Sequence, residues 1–320
     1  MSNLKGAGLG ASALASDGAA PKGTAPSISV IIIFLNAGRF IKEAIESILA
    51  QDFSDFEILL VDDGSTDASS AIARTYVKNR PKQIFYLEHD QHQNRGMSAS
   101  RNLGIRFARG SYITFCDADD TWPPKKLSQQ MEVFARHPEV GMVCGAARYW
   151  RSWDNGEDEI VRCGHIQDTP INPPEACLEV YPLGKSAAAF NSLLVRREIV
   201  AKVGGFEDAF TGLYDDQAFI CKVYLDAVVY FSSLVWLNYR QHAESSVSVA
   251  HGRRFYHAKR RFFLEWFKRY VSTLPMPPDP GLQAAIDRAL ARYQRPTAYF
   301  IGRLPRRILN RLKRIMKAHH

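Results

Sequence analysis

The sequence has no pair of cysteines at a motif spacing. Its five cysteines (Cys116, Cys144, Cys163, Cys177, Cys221) are scattered, with no CxxC among them. An odd, unspaced set is not a disulfide framework and fits buried thiols in a reducing cytoplasm. No run approaches the ~18 apolar residues of a membrane span, so no transmembrane helix is expected. The opening stretch, MSNLKGAGLGASALASDGAAPKGTAPS, lacks a long apolar core. It reads neither as a signal peptide nor as a span, and its Ala, Gly and Ser content predicts a flexible tail over 1–25. Acids are scarce at the other end. Residues 251–320 hold 17 of the 41 Lys and Arg but only Glu265, Asp279 and Asp287, a balance of +14. Since the whole chain is +8, residues 1–250 stand at −6. An acidic body and a basic tail imply two different roles.

The 320 residues are enough to bury a sizeable core, with 46% hydrophobic and 23% charged residues as in a soluble globular protein. From position 27, short apolar runs alternate with segments of helical period. ISVIIIF (28–34) is β-branched and continuously apolar, as in a strand buried on both faces. GRFIKEAIESILAQ sets Phe40, Ile41, Ala44, Ile45, Ile48 and Leu49 on one helical stripe. EILLV (57–61), IFYL (84–87) and YITFC (112–116) predict three more strands, with helices from Thr66 or Asp67 and over roughly 98–108. This order predicts an α/β fold with a mainly parallel sheet covered by helices, whose ligands bind beyond the carboxyl ends of the strands. Further on, AAAFNSLLV (187–195) reads as a strand and RREIVAKVGGF as a helix stopped by Gly204 and Gly205. A helix begins at Asp215, and one or two strands lie within VVYFSSLVWLNYR. The predicted body spans 26–250 and the basic helical extension 251–320.

Acidic clusters follow two of these strands. In VDDGSTD (61–67), Asp62 and Asp63 precede a glycine turn and capping hydroxyls. They suit either an acidic helix cap or a carboxylate that accepts from a nucleobase or ribose. In FCDADD, Asp117 and Asp119 form a D-x-D pair at a strand exit. Such a pair offers hard oxygens to Mg²⁺ or Mn²⁺ bridging a diphosphate; the plainer alternative is a solvated acidic turn. Asp215 and Asp216 open a helix, where a capping role alone is an equal alternative. In YRQH, Arg240 and His242 combine a charge clamp with a metal or phosphate contact, set against a structural histidine.

Taken in order, ISVIIIFLNAGRFIKEAIESILAQ, EILLVDDGSTD, NRGMSASRNLGI, ARGSYITFCDADD, GGFEDAF, YDDQAF and YRQH resemble the inverting glycosyltransferase family 2 over about residues 27–248. Ile33 departs from the pattern, which usually has proline there. No Q-x-x-R-W follows, which points away from the processive polymerases and toward single additions. The resemblance implies a GT-A, Rossmann-like fold and a nucleoside-diphosphate-sugar donor, with UDP the first expectation. It also implies a divalent cation (Mn²⁺ or Mg²⁺) and a glycan or lipid-linked acceptor in polysaccharide or glycolipid synthesis. By the same carry-over, Asn36, one of Asp62 or Asp63, Asn94, Gly96, Arg101, Asn102, Asp117 and Arg240 belong to the donor site. Asp119, with Asp117 and His242, forms the metal side. Asp216 is the general base and Asp215 the second choice.

Two other classes compete. A catalytically silent nucleotide-sugar-binding protein is disfavoured because every expected carboxylate position is filled. A nucleotidyltransferase would want a Gly-rich phosphate loop, for which FLNAGRF is a poor candidate. In the tail, Ile308, Leu312 and Ile315 recur at helical spacing among basic residues. They fit a helix lying on an anionic membrane surface or one packed on the body; with no recognition module present, nucleic acid is not expected.

Overall fold

The computed structural model describes residues 25–184, 186, 190–210, 212–242, 253–275 and 279–294, without the side chains of 253–255. The expected N-terminal tail and the Ile308, Leu312 and Ile315 stripe lie outside these residues. The chain divides into two compact units, Met1–Val249 and Ala250–His320.

The first unit opens with β1 (Ile28–Phe34), α1 (Ile41–Leu49), β2 (Phe56–Asp62), α2 (Ser69–Asn79), β3 (Ile84–Glu88), α3 (Met97–Phe107) and β4 (Tyr112–Asp117). All seven residues of β1 and of β2 are buried, as continuous apolar runs predict. Helix α1 turns Ile41, Ala44, Ile45 and Ile48 inward, each of the larger side chains contributing roughly 1.5–3 kcal/mol by its burial. Helix α2 starts at Ser69, later than expected. Thr66 and Asp67 instead tie their turn to the loop after β1: the Thr66 N–H donates to Asn36 Oδ1 (2.7 Å) and the Gly38 N–H to Asp67 Oδ2 (2.8 Å).

Strands β3, β2, β1 and β4 are parallel, in that order. In register, Phe34 pairs with Asp62, and Ile33 with both Val61 and Asp117. The carboxyl ends of three strands therefore finish together, and the acids that follow them share one edge.

The chain continues through α4 (Lys126–Arg136), β5 (Val140–Trp150), β6 (Glu159–Val161), β7 (Pro170–Ile171), α5 (Glu175–Glu179), β8 (Leu194–Arg196), α6 (Arg197–Val203), α7 (Asp215–Asp226) and β9 (Val228–Arg240). Here the sheet becomes mixed: β8 runs antiparallel to β4 and β5, whereas β5 and β9 are parallel. VVYFSSLVWLNYR is a single strand, and the β5–β9 pairing shifts register in its middle. Of the strand expected over 187–195, residues 187–189 lie outside the described residues, and the strand that is described runs from Leu194 to Arg196. Residues 190–192 form a tight helical turn because its carbonyls are taken by α4: Lys126 Nζ donates to Asn191 O and Gln130 Nε2 to Ser192 O, both at 2.8 Å.

The second unit contains α8 (Arg253–Thr273) and α9 (Pro280–Gln294). Phe263, Leu264, Phe267 and Val271 are buried along α8, as are Leu282, Ile286 and Leu290 along α9. No described helix is long and apolar enough to cross a membrane.

Candidate active site

A cavity of about 730 Å³ opens beyond the carboxyl ends of β1, β2 and β4. Ile33 to Ala37 and Phe40 form one wall; Asp63 and residues 94–99 form the next. Asp117, Ala118, Asp119 and His242 close the floor, and Asp208, Phe210 and Gly212 face them from the loop before α7.

Asp62 and Asp63 are adjacent but do different things. Asp62 is fully buried and lies away from the cavity: it accepts from Ser65 N (2.8 Å), Tyr86 Oη (2.7 Å) and Ser70 Oγ. Its capacity is spent on its own turn. Asp63, one residue past the strand, borders the cavity and accepts from Arg95 N (2.7 Å) and Gly96 N (3.0 Å). It thereby fixes the loop that carries Asn94 and Gly96. The glycine between these two turns is needed twice over. Gly64 has φ +87°, and a Cβ there would lie 2.8 Å from Asn94 N and 2.9 Å from His92 O. Helix α3 begins at this loop, and its first turn, whose amides have no intrahelical acceptor, lines the cavity.

Arg101 and Asn102, expected in the donor pocket, point elsewhere. Arg101 is buried; its guanidinium stacks over Phe190 (4.7 Å) and donates to Asp117 Oδ1 (3.0 Å) and to Asp215 Oδ2. It is a brace between strand β4 and helix α7. Asn102 exchanges two hydrogen bonds with the backbone of Phe206 (2.8 and 3.0 Å), strapping α3 to the Gly204–Gly205 turn.

Asp117 is held from both sides, by Arg101 on Oδ1 and by Asn191 Nδ2 on Oδ2 (2.9 Å). Asp119 meets His242 Nε2 at 2.9 Å through Oδ2. Burial and the neighbouring Asp117 charge push its carboxyl up, against the His242 hydrogen bond. Asp120 is fully buried behind them, accepting from Arg240 N (3.0 Å) and Asn191 Nδ2 (2.8 Å). Burial, then Asp119 and Asp117, raise it well above the carboxylate range.

Arg240 does not border the cavity. Its guanidinium lies among Phe40 (5.0 Å), Trp150 (4.3 Å) and Trp153 (4.9 Å), donates to Asp119 O (2.7 Å), and pairs with Glu43 (2.5 Å). It locks the acidic turn and does not reach into the cavity.

Asp215 and Asp216 open α7. Asp215 is buried on Arg101, whereas Asp216 is partly exposed. Burial and the Asp215 charge raise Asp216 to about 7. Asp117, Asp119 and His242 thus meet at one cavity with Asp63, Asn36, Asn94 and Gly96. Asp62, Arg101, Asn102 and Arg240 stand behind it as supports.

Three contributors were missed in the sequence: Asn191, Asp208 and Glu43. Asn191 carried a signal, being an amide inside the apolar run AAAFNSLLV, where a buried polar group needs a specific partner. Glu43 and Asp208 look like ordinary surface acids.

The geometry agrees with the family comparison. Residues 29–203, more than half the chain, match the profile of glycosyl transferase family 2. An uncharacterized glycosyltransferase of Nostoc sp., alr2836, is 29% identical over 277 residues, covering 85% of this chain and 82% of its own. Bacillus subtilis EpsJ, also an uncharacterized glycosyltransferase, is 47% identical over 122 residues, 38% of this chain and 34% of its own. Among solved structures, Staphylococcus aureus TarS 1–349 in complex with UDP-GlcNAc aligns with a TM-score of 0.65 at 19% identity, over 84% of this chain and 71% of that one. The Pyrobaculum calidifontis mannosyltransferase PcManGT, in complex with GDP-Man and Mn²⁺, aligns at 0.53 and 19%, over 91% and 80%. The fold is the GT-A fold, a mixed α/β sheet flanked by helices, here with a helical C-terminal extension. The chain belongs to glycosyltransferase family 2.

Proposed function

We propose that the protein transfers one sugar from a nucleoside-diphosphate sugar to an acceptor hydroxyl, inverting the anomeric centre. The observation that carries this reading is the shared cavity edge. One wall offers Asp63 and the start of α3, and the floor offers Asp117, Asp119 and His242. Asp216, a partly exposed carboxylate with a raised pKa at the start of α7, does not line that cavity; its neighbour Asp215 is tied through Arg101 to Asp117 on the floor. The complexes of TarS with UDP-GlcNAc and of PcManGT with GDP-Man support a nucleotide-sugar donor.

In this reading, Asp63, Asn36, Asn94 and Gly96 border the nucleoside, and Asp117 the ribose. Asp216 accepts the proton of the acceptor hydroxyl as that oxygen attacks the anomeric carbon from the face opposite the nucleotide. A carboxyl near pH 7 is suited to this, because it is substantially deprotonated at neutral pH yet basic enough to take a proton. Direct displacement with a single base gives inversion.

Among the described residues, no cluster of three His, Cys, Asp or Glu side chains forms a complete metal site. The donors that are present still suit a hard cation bound jointly with a diphosphate. Two crowded carboxylates, Asp117 and Asp119, and the His242 imidazole edge one cavity; burial first and the Asp117 charge second push Asp119 up, and a cation would offset both. Asp119 and His242, with Asp117 beside them, would hold it. When bound, a divalent ion neutralises charge on the leaving diphosphate.

A nucleoside-diphosphate release assay over a panel of UDP-, GDP- and dTDP-sugars, with Mn²⁺, with Mg²⁺ and with chelator, tests the reading. Release from one donor, dependent on metal and lost in Asp216→Asn, is expected. Release that persists fully in chelator would remove the cation, and a panel without turnover at any acceptor would favour a silent binding protein.

A further inference from the structure

We infer that Asn191 is a positioning residue for the acidic turn: its side-chain amide sets the orientation of Asp117 and Asp120, and through them the cation side of the donor site. The inference rests on the donor reading given above.

The amide of Asn191 is 4% exposed, and its nitrogen lies 2.9 Å from Asp117 Oδ2 and 2.8 Å from Asp120 Oδ2. The Asp117 carboxylate, paired with Arg101, only accepts, so the nitrogen and not the oxygen of the amide faces it, and the same nitrogen lies against Asp120. Both N–H bonds are thus committed to two acids, one on each side of Asp119. Its Oδ1 is buried with no partner among the described residues. An amide whose donors are both engaged while its oxygen is not is serving the two carboxylates.

The turn that carries Asn191 does not depend on that side chain. Lys126, itself fully buried and 3.3 Å over the Trp122 ring, holds the Asn191 carbonyl. Gln130 holds the Ser192 carbonyl, and Ser192 Oγ bonds Gly145 O at 2.9 Å. With its backbone pinned from α4 and β5, Asn191 is a fixed post from which an amide reaches across to strand β4. Asp117 is then gripped on one oxygen by Arg101 and on the other by Asn191, so it has one orientation. Asp120, held by Asn191 and Arg240 N, fixes the other end of the turn on which Asp119 rides.

Residues that orient metal-side carboxylates typically change metal affinity by about 10–100-fold when removed. The test is calorimetric titration of UDP, with GDP in parallel, in Mn²⁺ and again in EDTA. It uses the full chain as wild type, Asn191→Leu and Asn191→Asp, each checked by thermal melting. Both variants remove the donors at nearly constant shape. The expected result is a nucleotide affinity in Mn²⁺ weakened about 10–100-fold, with the EDTA affinity within about twofold of wild type. Asn191→Asp, which sets a further carboxyl against Asp117 and Asp120, should lose at least as much as Asn191→Leu if the donors are what matters. Wild-type affinity in either folded variant overturns the inference, as does equal loss with and without Mn²⁺. A wild type that binds neither nucleotide, or binds equally in Mn²⁺ and EDTA, overturns instead the donor reading beneath it.

Discussion

Asp216 is set apart from its neighbour by what each one touches. Asp215 is spent on Arg101, while Asp216 makes no ion pair among the described residues and is raised to about 7 by burial and by the Asp215 charge, against the Arg101 charge. A base must be deprotonated to act, so kcat/KM should fall as pH drops below about 7, tenfold per unit, and level off above it. Asp216→Asn should keep donor affinity and lose about 10²–10⁴-fold in turnover. Full activity in Asp216→Asn alongside a dead Asp215→Asn would move the base to the neighbouring position. Asp119 makes a complementary case. Its Oδ2 meets His242 while the carboxyl borders the cavity, so Asp119→Ala should abolish the Mn²⁺-dependent part of UDP binding in a protein that still melts cooperatively. Titration calorimetry decides this, and unchanged affinity would take Asp119 out of the cation site. The D-x-D pair and the Asp215–Asp216 pair were legible in the sequence because they follow or open regular elements. The split between Asp62 and Asp63 was not. It depends on Asp62 being the last buried residue of β2, with Ser70 and Tyr86 arriving from other elements to fill its lone pairs.

At the scale of elements, the site exists because β1, β2 and β4 end in register and two turns then close against each other. Those strands could be read directly, since unbroken β-branched runs bounded by turn residues have few other uses. The second half could not be read in the same way. The AAAFNSLLV segment has strand composition, yet Lys126 and Gln130 capture its carbonyls from a helix more than sixty positions away and bend residues 190–192 into a turn. Helix α4 and strand β5 carried no motif and were passed over, although they supply that anchor. The contact between the 62–66 turn and the 92–96 loop admits a direct test. At Gly64 a Cβ would collide with backbone atoms at 2.8 and 2.9 Å, whereas at Gly96, also at positive φ (+85°), a Cβ meets nothing within 4 Å. Gly96→Ala should therefore cost only the conformational strain, about 1–3 kcal/mol. Gly64→Ala should cost more than this and also weaken nucleotide binding, because the two turns must separate. Urea unfolding of the two variants measures the difference, and equal losses would mean that the 62–66 turn yields without disturbing its neighbour.

At the scale of the molecule, the two compact units differ in charge. Residues 1–250 stand at −6 and residues 251–320 at +14, a separation that a surface meant only for solubility does not require. The described part of the basic unit has a well-filled apolar side on each helix, while Arg261, Phe262 and Arg269 of α8 are exposed. Cations flanking an exposed aromatic suit an anionic bilayer surface, where each basic residue contributes up to ~1 kcal/mol. Attachment of this kind would bring the donor cavity to a lipid-linked acceptor without a membrane span. The full chain is accordingly expected to co-sediment with vesicles containing phosphatidylglycerol and not with phosphatidylcholine vesicles. Raising the salt should release it, because the attraction is screened over about 8–10 Å near physiological ionic strength. A chain ending at residue 250 should stay in the supernatant under all of these conditions. Equal pelleting of the two chains would take the basic unit out of membrane binding. A full chain that ignores anionic vesicles even at low salt would leave its charge to another anionic partner, and would point to acceptors reached in solution.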